Sequence, residues 1–308
     1  MTDSAGLVVL GMHRSGTSAV MGALQAMGLH VGDKASLTAP NWDNPKGFFE
    51  RKDARRCCDA LLHGAGADWW KLADFSIDQI PGPVRAEQVE ALHGVLERLQ
   101  EGGFWALKEP RLCVLFPLLR PLLPARPLVL FVVRHPVAVA LSLQKRQGYS
   151  LQAGAALWER YNRDAVRHMA GARVFRLVFE EVVARPREAL SRLADELRQA
   201  VPGLQLDPAA GAALIDAGSR HHVTHPELEA LLTDEQQALW RALSTAAPVP
   251  AWTEAGQARN RLQLQDLERV HAALQGQAER ERDAHRATRA AHKDIRRLEK
   301  RLARLEKD

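Results

Sequence analysis

The feature that most constrains the fold is a strand–loop–helix unit near the N-terminus. Residues 7–10 form a short apolar run that ends at Gly11, which is typical of a strand buried on both faces of a parallel sheet. Across residues 17–27 apolar side chains recur at helical spacing, and Gly28 is a helix stop. This succession predicts the first unit of an α/β domain.

Predicted helices and strands alternate through the chain up to about residue 200. Further strands are predicted over 104–107, 127–133 and 173–179, and further helices over 53–62, 86–99, 136–143 and 186–200. Strands that alternate with helices are typical of an α/β fold with a central, mainly parallel sheet. We therefore assign residues 1–250 to one α/β domain.

The composition changes beyond Pro250, and residues 251–308 are predicted to form a helical extension. From Leu267 onward, a seam of positions recurs with an unbroken 3–4 spacing; its two ends are apolar and its middle is polar or small. The spacing favours a coiled-coil helix that joins copies of the chain or recruits a partner. A solvated single helix is the alternative.

Charge and cysteine content exclude some classes of protein. The formal net charge is +5, but it is concentrated in the C-terminal tail, so we expect no nucleic-acid binding by the main domain. The tail could also contact an anionic membrane surface. Three cysteines fit neither a disulfide framework nor a zinc site. Without a signal-peptide pattern or a membrane-spanning run, the expected location is the cytoplasm.

The loop at 11–18 carries the first chemical motif. The free N–H groups and the dipole at a helix N-terminus favour an anion such as phosphate. The glycine spacing is that of a Walker A loop, Gly-x-x-x-x-Gly-Lys-Ser/Thr, but Thr17 stands in place of the lysine and Arg14 is the cation. A tight turn without a ligand is the alternative.

The second motif begins at Arg134, which follows the strongest predicted strand. Ligands of open α/β sheets bind at the carboxyl ends of the strands, and a guanidinium matches a phosphate. A nucleotide hydrolase would commonly have an acidic metal ligand at such a place. Ser142 lies about two helical turns further on. Alone, Arg134 could be a surface cation.

Together these segments resemble the PAPS-dependent sulfotransferases, which use 3′-phosphoadenosine 5′-phosphosulfate. Residues 14–18 (Arg-Ser-Gly-Thr-Ser) resemble their 5′-phosphosulfate loop, and Arg134 with Ser142 resembles their 3′-phosphate motif. Residues 107–111 are similar to a Lys-Asp-Pro segment, and residues 178–182 to a Tyr-Glu-Asp-Leu segment. The resemblance implies a three-layer, P-loop-like fold. A stretch at 41–50 is similar to bacterial members that act on glycans or small hydroxylated acceptors.

The resemblance also implies roles for the residues of the loop and the second motif. The backbone and hydroxyl groups of residues 15–18 (Ser15, Gly16, Thr17 and Ser18) would bind the 5′-phosphate, while Arg14 would contact the bridging or sulfuryl oxygens. Arg134 and Ser142 would bind the 3′-phosphate. Lys108 is a second candidate for neutralising charge, although it could simply hold the turn after its strand.

The remaining site candidates are less specific. Glu50 is the proposed catalytic base, because aromatic neighbours could raise its pKa, and Glu109 and His13 are its rivals. Phe179 stands where the family often has a tyrosine near adenine, and a core aromatic is the alternative. Arg220, in an Arg-His-His run, would cover the 3′-phosphate or lie in a plain surface turn.

Histidines and tryptophans add two further interpretations. His221, His222 and His225 could suggest a metal site, but sulfuryl transfer needs no metal and we expect none. Trp42, Trp69 and Trp70 could line the acceptor pocket, though packing in the core is the commoner fate of tryptophan.

The predicted function is transfer of a sulfuryl group from PAPS to a hydroxyl acceptor, a glycan or another small hydroxylated metabolite. A P-loop nucleotide kinase or hydrolase is the second hypothesis, and a non-catalytic coiled-coil scaffold with a vestigial loop is the third. The sequence does not identify the acceptor, whose pocket is expected to form from loops.

Overall fold

The computed structural model describes residues 6–39, 49–215 and 226–305 of the chain. Within this part, four parallel strands form one sheet: β1 (Gly6–Leu10), β2 (Trp105–Lys108), β3 (Leu128–Val133) and β4 (Arg173–Val178). Their order in the sheet is β2-β1-β3-β4. The predicted α/β class with a parallel sheet is confirmed.

Helices connect the strands and follow the last one. They are α1 (Thr17–Ala26), α2 (Lys52–Gly64), α3 (Gly82–Gln100), α4 (Leu112–Leu119), α5 (Pro136–Gln147), α6 (Leu151–His168), α7 (Phe179–Ala184), α8 (Pro186–Ala200), α9 (Pro208–Leu214), α10 (Pro226–Glu229), α11 (Asp234–Thr245) and α12 (Glu254–Leu305). Three short 3₁₀ turns lie at Lys34–Ser36, Ile77–Gln79 and Arg120–Leu122. The predicted strands and helices are present, with boundaries that shift by a few residues.

Both faces of the sheet are buried, which explains why its strands are almost wholly apolar. On one face, alternate residues of β1, β3 and β4 join a core with α1, α7, α8 and α9. The intervening residues of β1 and β3, such as Val8 and Val129, are equally buried on the other face. Helical layers therefore cover the sheet on each side, as a three-layer fold requires.

The chain divides into two compact units, Met1–Leu264 and Gln265–Asp308. The first unit contains the sheet and helices α1 to α11, and the second consists of the later part of α12. The predicted C-terminal helix is present as one continuous helix over Glu254–Leu305. Pairing of this helix with another remains a prediction. None of the helices that the structure describes is long and apolar enough to cross a membrane.

Candidate functional site

The predicted site residues lie at one edge of the sheet. The loop at 11–16 follows β1, Lys108 ends β2, and Arg134 follows β3 directly. Because the strands are parallel and adjacent, their carboxyl ends meet at this edge. The parallel sheet thus brings together candidates that lie more than a hundred residues apart in sequence.

The backbone of the loop turns tightly into α1. The amide of Ser15 donates to the Met12 carbonyl at 3.1 Å, and the Gly16 carbonyl accepts from Val20 at 3.1 Å. Arg14 and Gly16 both have left-handed backbones, with φ of 69° and 82°. The buried Ser15 hydroxyl has no hydrogen-bond partner among the described residues. An enclosed, unsatisfied donor at a helix N-terminus suits a bound anion.

Two glycines in the loop permit close approach of neighbouring groups. A Cβ on Gly16 would lie 2.1 Å from the Phe179 ring, and one on Gly11 would lie 2.6 Å from the Val132 carbonyl oxygen. Distances this short exclude any larger side chain without movement of the loop. The glycines therefore fix how tightly the loop packs against β3 and α7.

Arg134 is a buried cation, and only 9% of the residue is exposed. None of the carboxylates that the structure describes forms an ion pair with it. Its Nη1 donates to the Arg14 carbonyl at 3.0 Å, whereas its enclosed Nε has no partner among the described residues. Burial lowers the pKa of Arg134, although Glu180 opposes this shift. A buried guanidinium in this state would gain from binding an anion.

Arg14 joins the loop to the second motif. Its Nε donates to the Ser142 hydroxyl oxygen at 2.7 Å, and its carbonyl accepts from Arg134. Ser142 lies on α5 and is buried. The two predicted phosphate-binding segments therefore form one continuous polar site.

Phe179 begins α7, one residue beyond the end of β4, whereas the sequence predicted a strand through this position. The ring is buried between Gly16 and Arg134, with the Arg134 guanidinium carbon 5.0 Å from the ring centroid. Contact of Phe179 with adenine stays a prediction.

Glu50 and Lys108 lie side by side near the start of α1. The Lys108 ammonium donates to Glu50 Oε1 at 2.7 Å and to the Ser18 hydroxyl at 3.3 Å. The Lys108 side chain is completely buried and that of Glu50 is nearly so. A buried ion pair of this kind is costly to break on one side only. The candidate base and the candidate cation thus share one hydrogen-bonded position.

Glu109 and His13, the rival bases, have contrasting surroundings. Glu109 is fully buried and its Oε1 accepts from Arg111 at 2.7 Å; burial raises its pKa although Arg111 acts in the opposite direction. Burial lowers the pKa of His13 well below its usual range, and the nearby cations, Arg111 foremost, lower it further. His13 is therefore a neutral imidazole at pH 7.

An aromatic cluster surrounds the His13 ring. The ring centroids of His13 and Trp69 are 4.8 Å apart, and Tyr161 meets His13 edge-on at 5.7 Å. Tyr161 donates to the Trp69 carbonyl at 2.7 Å, and Tyr149 lies 6.2 Å from the Trp69 ring. We did not predict Tyr149 or Arg111 as site residues from sequence. Their place beside predicted motifs was the only available signal.

Several predicted residues lie outside the described part of the chain. They are Trp42 and the late basic run of Arg220, His221, His222 and His225. Within the described ranges, no group of three or more His, Cys, Asp or Glu side chains is arranged to hold a metal ion. The three cysteines are free and buried.

Comparisons with known proteins find one matching family model and several solved structures with partial similarity to this chain. A family model described as the sulfotransferase family matches residues 6–202. A sulfotransferase domain from the curacin biosynthetic pathway has 18% identity and a TM-score of 0.43, with 80% of this chain and 99% of that chain covered. No curated protein matches.

Two other solved structures are similar at the same level. A sulfotransferase domain from an olefin synthase of Synechococcus has 18% identity and a TM-score of 0.41, with 87% of this chain and 95% of that chain covered. A sulfotransferase from Mycobacterium avium has 18% identity and a TM-score of 0.41, with 73% and 70% covered. The family match itself spans both the loop at 11–18 and the segment at 134–142.

Proposed function

The chain belongs to the sulfotransferase family and is a sulfuryl transferase, and we propose that its donor is PAPS and its acceptor a hydroxyl group. The observation that carries this proposal is the junction between the two anion-binding segments. Arg14 of the loop contacts both Ser142 and Arg134. One ligand with phosphates at both ends of its ribose would satisfy both segments at once.

The residues at this junction fit such a donor. Among the described residues, neither the enclosed hydroxyl of Ser15 nor the buried Nε of Arg134 has a hydrogen-bond partner. Both groups favour an anion because each is a hydrogen-bond donor removed from water. The Ser15 side would take the 5′-phosphosulfate, and the Arg134 side would take the 3′-phosphate.

The site can neutralise the charge that develops during transfer. The acceptor oxygen forms a bond to sulfur while the bond from sulfur to the 5′-phosphate oxygen breaks, so negative charge grows on that phosphate. Arg14 in the loop and Lys108, which donates to Ser18 at the start of α1, are the cations that would stabilise it. Such preorganised charge costs no rearrangement when the bond breaks.

We propose that Glu50 accepts the proton of the acceptor hydroxyl. Its carboxylate lies 2.7 Å from Lys108, which in turn contacts Ser18 at the start of α1. A base held here would be positioned by the same cation that faces the donor. Glu50 would then accept the proton as the acceptor oxygen bonds to sulfur.

The acceptor is proposed to be a glycan or another small hydroxylated molecule. The partly exposed rings of His13 and Trp69 support this choice, since flat side chains with polar edges suit sugar or aryl rings. Tyr161 is fully buried and packs edge-on against His13. A nucleotide kinase remains the second hypothesis from the loop spacing, but no contact in the described site favours it.

A transfer assay with ³⁵S-labelled PAPS tests the proposal. The purified protein is offered free and lipid-linked glycans, simple alcohols and phenols, and labelled products are separated from PAPS. We expect transfer to at least one hydroxylated acceptor and inhibition by adenosine 3′,5′-bisphosphate (3′,5′-ADP). The Arg14→Ala protein serves as the inactive control. Transfer of phosphate from ATP, with no transfer of sulfate, would refute the proposal.

The C-terminal helix is proposed to bind a second copy of the chain. Val270 and Leu274 lie in the predicted seam and are 51% and 56% exposed. Exposed apolar residues at heptad spacing favour pairing of helices. Truncation after Leu264, where the first compact unit ends, should therefore lower the mass measured by light scattering by more than the deleted residues account for. An unchanged mass per particle, after correction for the deleted residues, would contradict pairing.

A further inference from the structure

Phe179 occupies a position between the two anion-binding segments. Its ring lies so close to Gly16 that no side chain fits there, and it faces the Arg134 guanidinium at 5.0 Å. A cation within about 6 Å of an aromatic centroid is attracted to the face of the ring. One side chain therefore touches the turn into α1 and the cation after β3.

The Arg134 side chain has few other contacts that fix its direction. Among the described residues, its guanidinium makes one hydrogen bond, from Nη1 to the Arg14 carbonyl, and no ion pair. Arginine loses much rotational freedom when it is held in one orientation. The ring of Phe179 supplies the flat surface against which this guanidinium rests.

The residue after Phe179 holds the neighbouring backbone. The carboxylate of Glu180 accepts from the His135 amide at 3.0 Å. The Trp158 indole also donates to the Arg134 carbonyl at 2.9 Å. The first turn of α7 therefore fixes the side chain of Arg134 and the backbone of the residue that follows it.

We propose that Phe179 is a positioning residue, which orients Arg134 through its ring and thereby gives the site its preference for nucleotides with a 3′-phosphate. The inference rests on the proposed function, because it takes the 3′-phosphate as the partner of Arg134. In this role the ring acts through Arg134 and does not stack on the nucleotide base.

The burial of Phe179 supports a role beneath the ligand-binding surface, without direct contact between its ring and the ligand. Only 5% of the residue is exposed, and its ring is part of the core that includes α1 and α8. An aromatic that stacks on a base needs an open face. A phenylalanine also needs no hydrogen-bond partner at this place, whereas a buried tyrosine hydroxyl would need one.

Calorimetric titration with two nucleotides tests the inference without any acceptor. The Kd values of 3′,5′-ADP and 5′-AMP are measured for the wild type and for Phe179→Leu and Phe179→Met, two variants that remove the ring but keep apolar volume. We expect binding of 3′,5′-ADP to weaken by about tenfold in both, within the range of a desolvated cation–π contact. Binding of 5′-AMP should change by less than about twofold.

A double-mutant cycle with Arg134→Ala separates positioning from base stacking. If the ring acts through Arg134, Phe179→Leu adds no further loss of 3′,5′-ADP affinity in the Arg134→Ala protein. A further loss in that background would overturn the inference, because the ring would then contact the nucleotide by itself.

Two other outcomes would also be decisive. Unchanged 3′,5′-ADP affinity in folded Phe179→Leu and Phe179→Met, checked by circular dichroism, would overturn the positioning role alone. A wild-type protein that does not bind 3′,5′-ADP would instead overturn the proposed function on which the inference rests.

Discussion

The proposed donor side and the proposed acceptor side of the site are built in different ways. On the donor side, a tight backbone loop and two arginines form a continuous set of contacts, with Arg14 bonded to Ser142 and Arg134 bonded to Arg14. On the acceptor side, the Lys108–Glu50 ion pair and the aromatic cluster around His13 neutralise or exclude charge. The donor side retains two buried donors, the Ser15 hydroxyl and Arg134 Nε, that have no partner among the described residues.

Under the proposed function, this difference separates recognition of the donor from activation of the acceptor. The donor side uses groups whose partner must be anionic, since buried cations without carboxylates are costly. On the acceptor side the Glu50 carboxylate is paired with Lys108, which also contacts Ser18 of the donor side, so a neutral hydroxylated molecule can bind beside Glu50. Variants on the two sides should therefore fail in different assays.

Arg14→Ala should have the largest effect. Removal of this cation takes away stabilisation of the leaving phosphate, so we expect turnover to fall by about a thousandfold. The measurement is transfer of ³⁵S-sulfate from labelled PAPS to an acceptor found in the screen. Arg192→Ala, which removes an exposed arginine paired with Glu181, is the matched control. Activity of Arg14→Ala equal to the control would remove Arg14 from the mechanism.

Glu50→Gln should impair activation of the acceptor without weakening nucleotide binding. Loss of a general base typically lowers turnover by about a hundredfold or more, and we expect a fall of that order. Binding of 3′,5′-ADP, measured by calorimetry, should stay within about threefold of the wild type, because the loop and Arg134 are untouched. A strong loss of nucleotide binding would show that the two sides are not separate.

His13→Gln gives the smallest effect, seen in the pH dependence of stability. In the unfolded chain the imidazole binds a proton below pH 6.5, whereas the lowered pKa keeps the buried ring neutral. The wild type should therefore lose stability as the pH falls through 6.5, and all of this contribution is present above that pH. Burial also lowers the pKa of His135 and of His168. Because both residues are present in the wild type and in the variant, we expect their contributions to cancel in the comparison.

Urea unfolding at pH 7.5 and pH 5.5 measures this difference. Between pH 7.5 and pH 5.5, the free energy of unfolding should fall less for the variant than for the wild type. The difference should reach up to about 1.4 kcal/mol, the value for one group at one pH unit below its reference pKa. Equal losses in both proteins would mean that His13 is not held neutral by the fold.

The donor side could be predicted from sequence because its signals are local. An apolar strand, a glycine loop and a helix follow directly along the chain, and the strand-end rule then places Arg134 beside the loop. The fold class follows from the same alternation of strands and helices. Individual contacts such as that between Arg14 and Ser142 depend on side-chain rotamers, which periodicity does not encode.

The acceptor side was less predictable because it is assembled from separate segments. His13, Trp69 and Tyr161 come from the first loop, the region after α2 and the middle of α6, and no spacing rule connects them. Glu50 was predicted as a base from its aromatic neighbours, but its ion pair with Lys108 was not. Phe179 was predicted at a strand end, and the structure places it at the start of α7, against Arg134.

Comparison of 3′,5′-ADP with ATP and Mg²⁺ by calorimetry tests the central claim most directly. The account predicts that the wild type binds 3′,5′-ADP and that Arg134→Ala weakens this binding by about thirtyfold or more, as loss of a charge-assisted contact implies. It also predicts no comparable binding of ATP with Mg²⁺. Tight binding of ATP with Mg²⁺, together with no response to 3′,5′-ADP, would contradict the account.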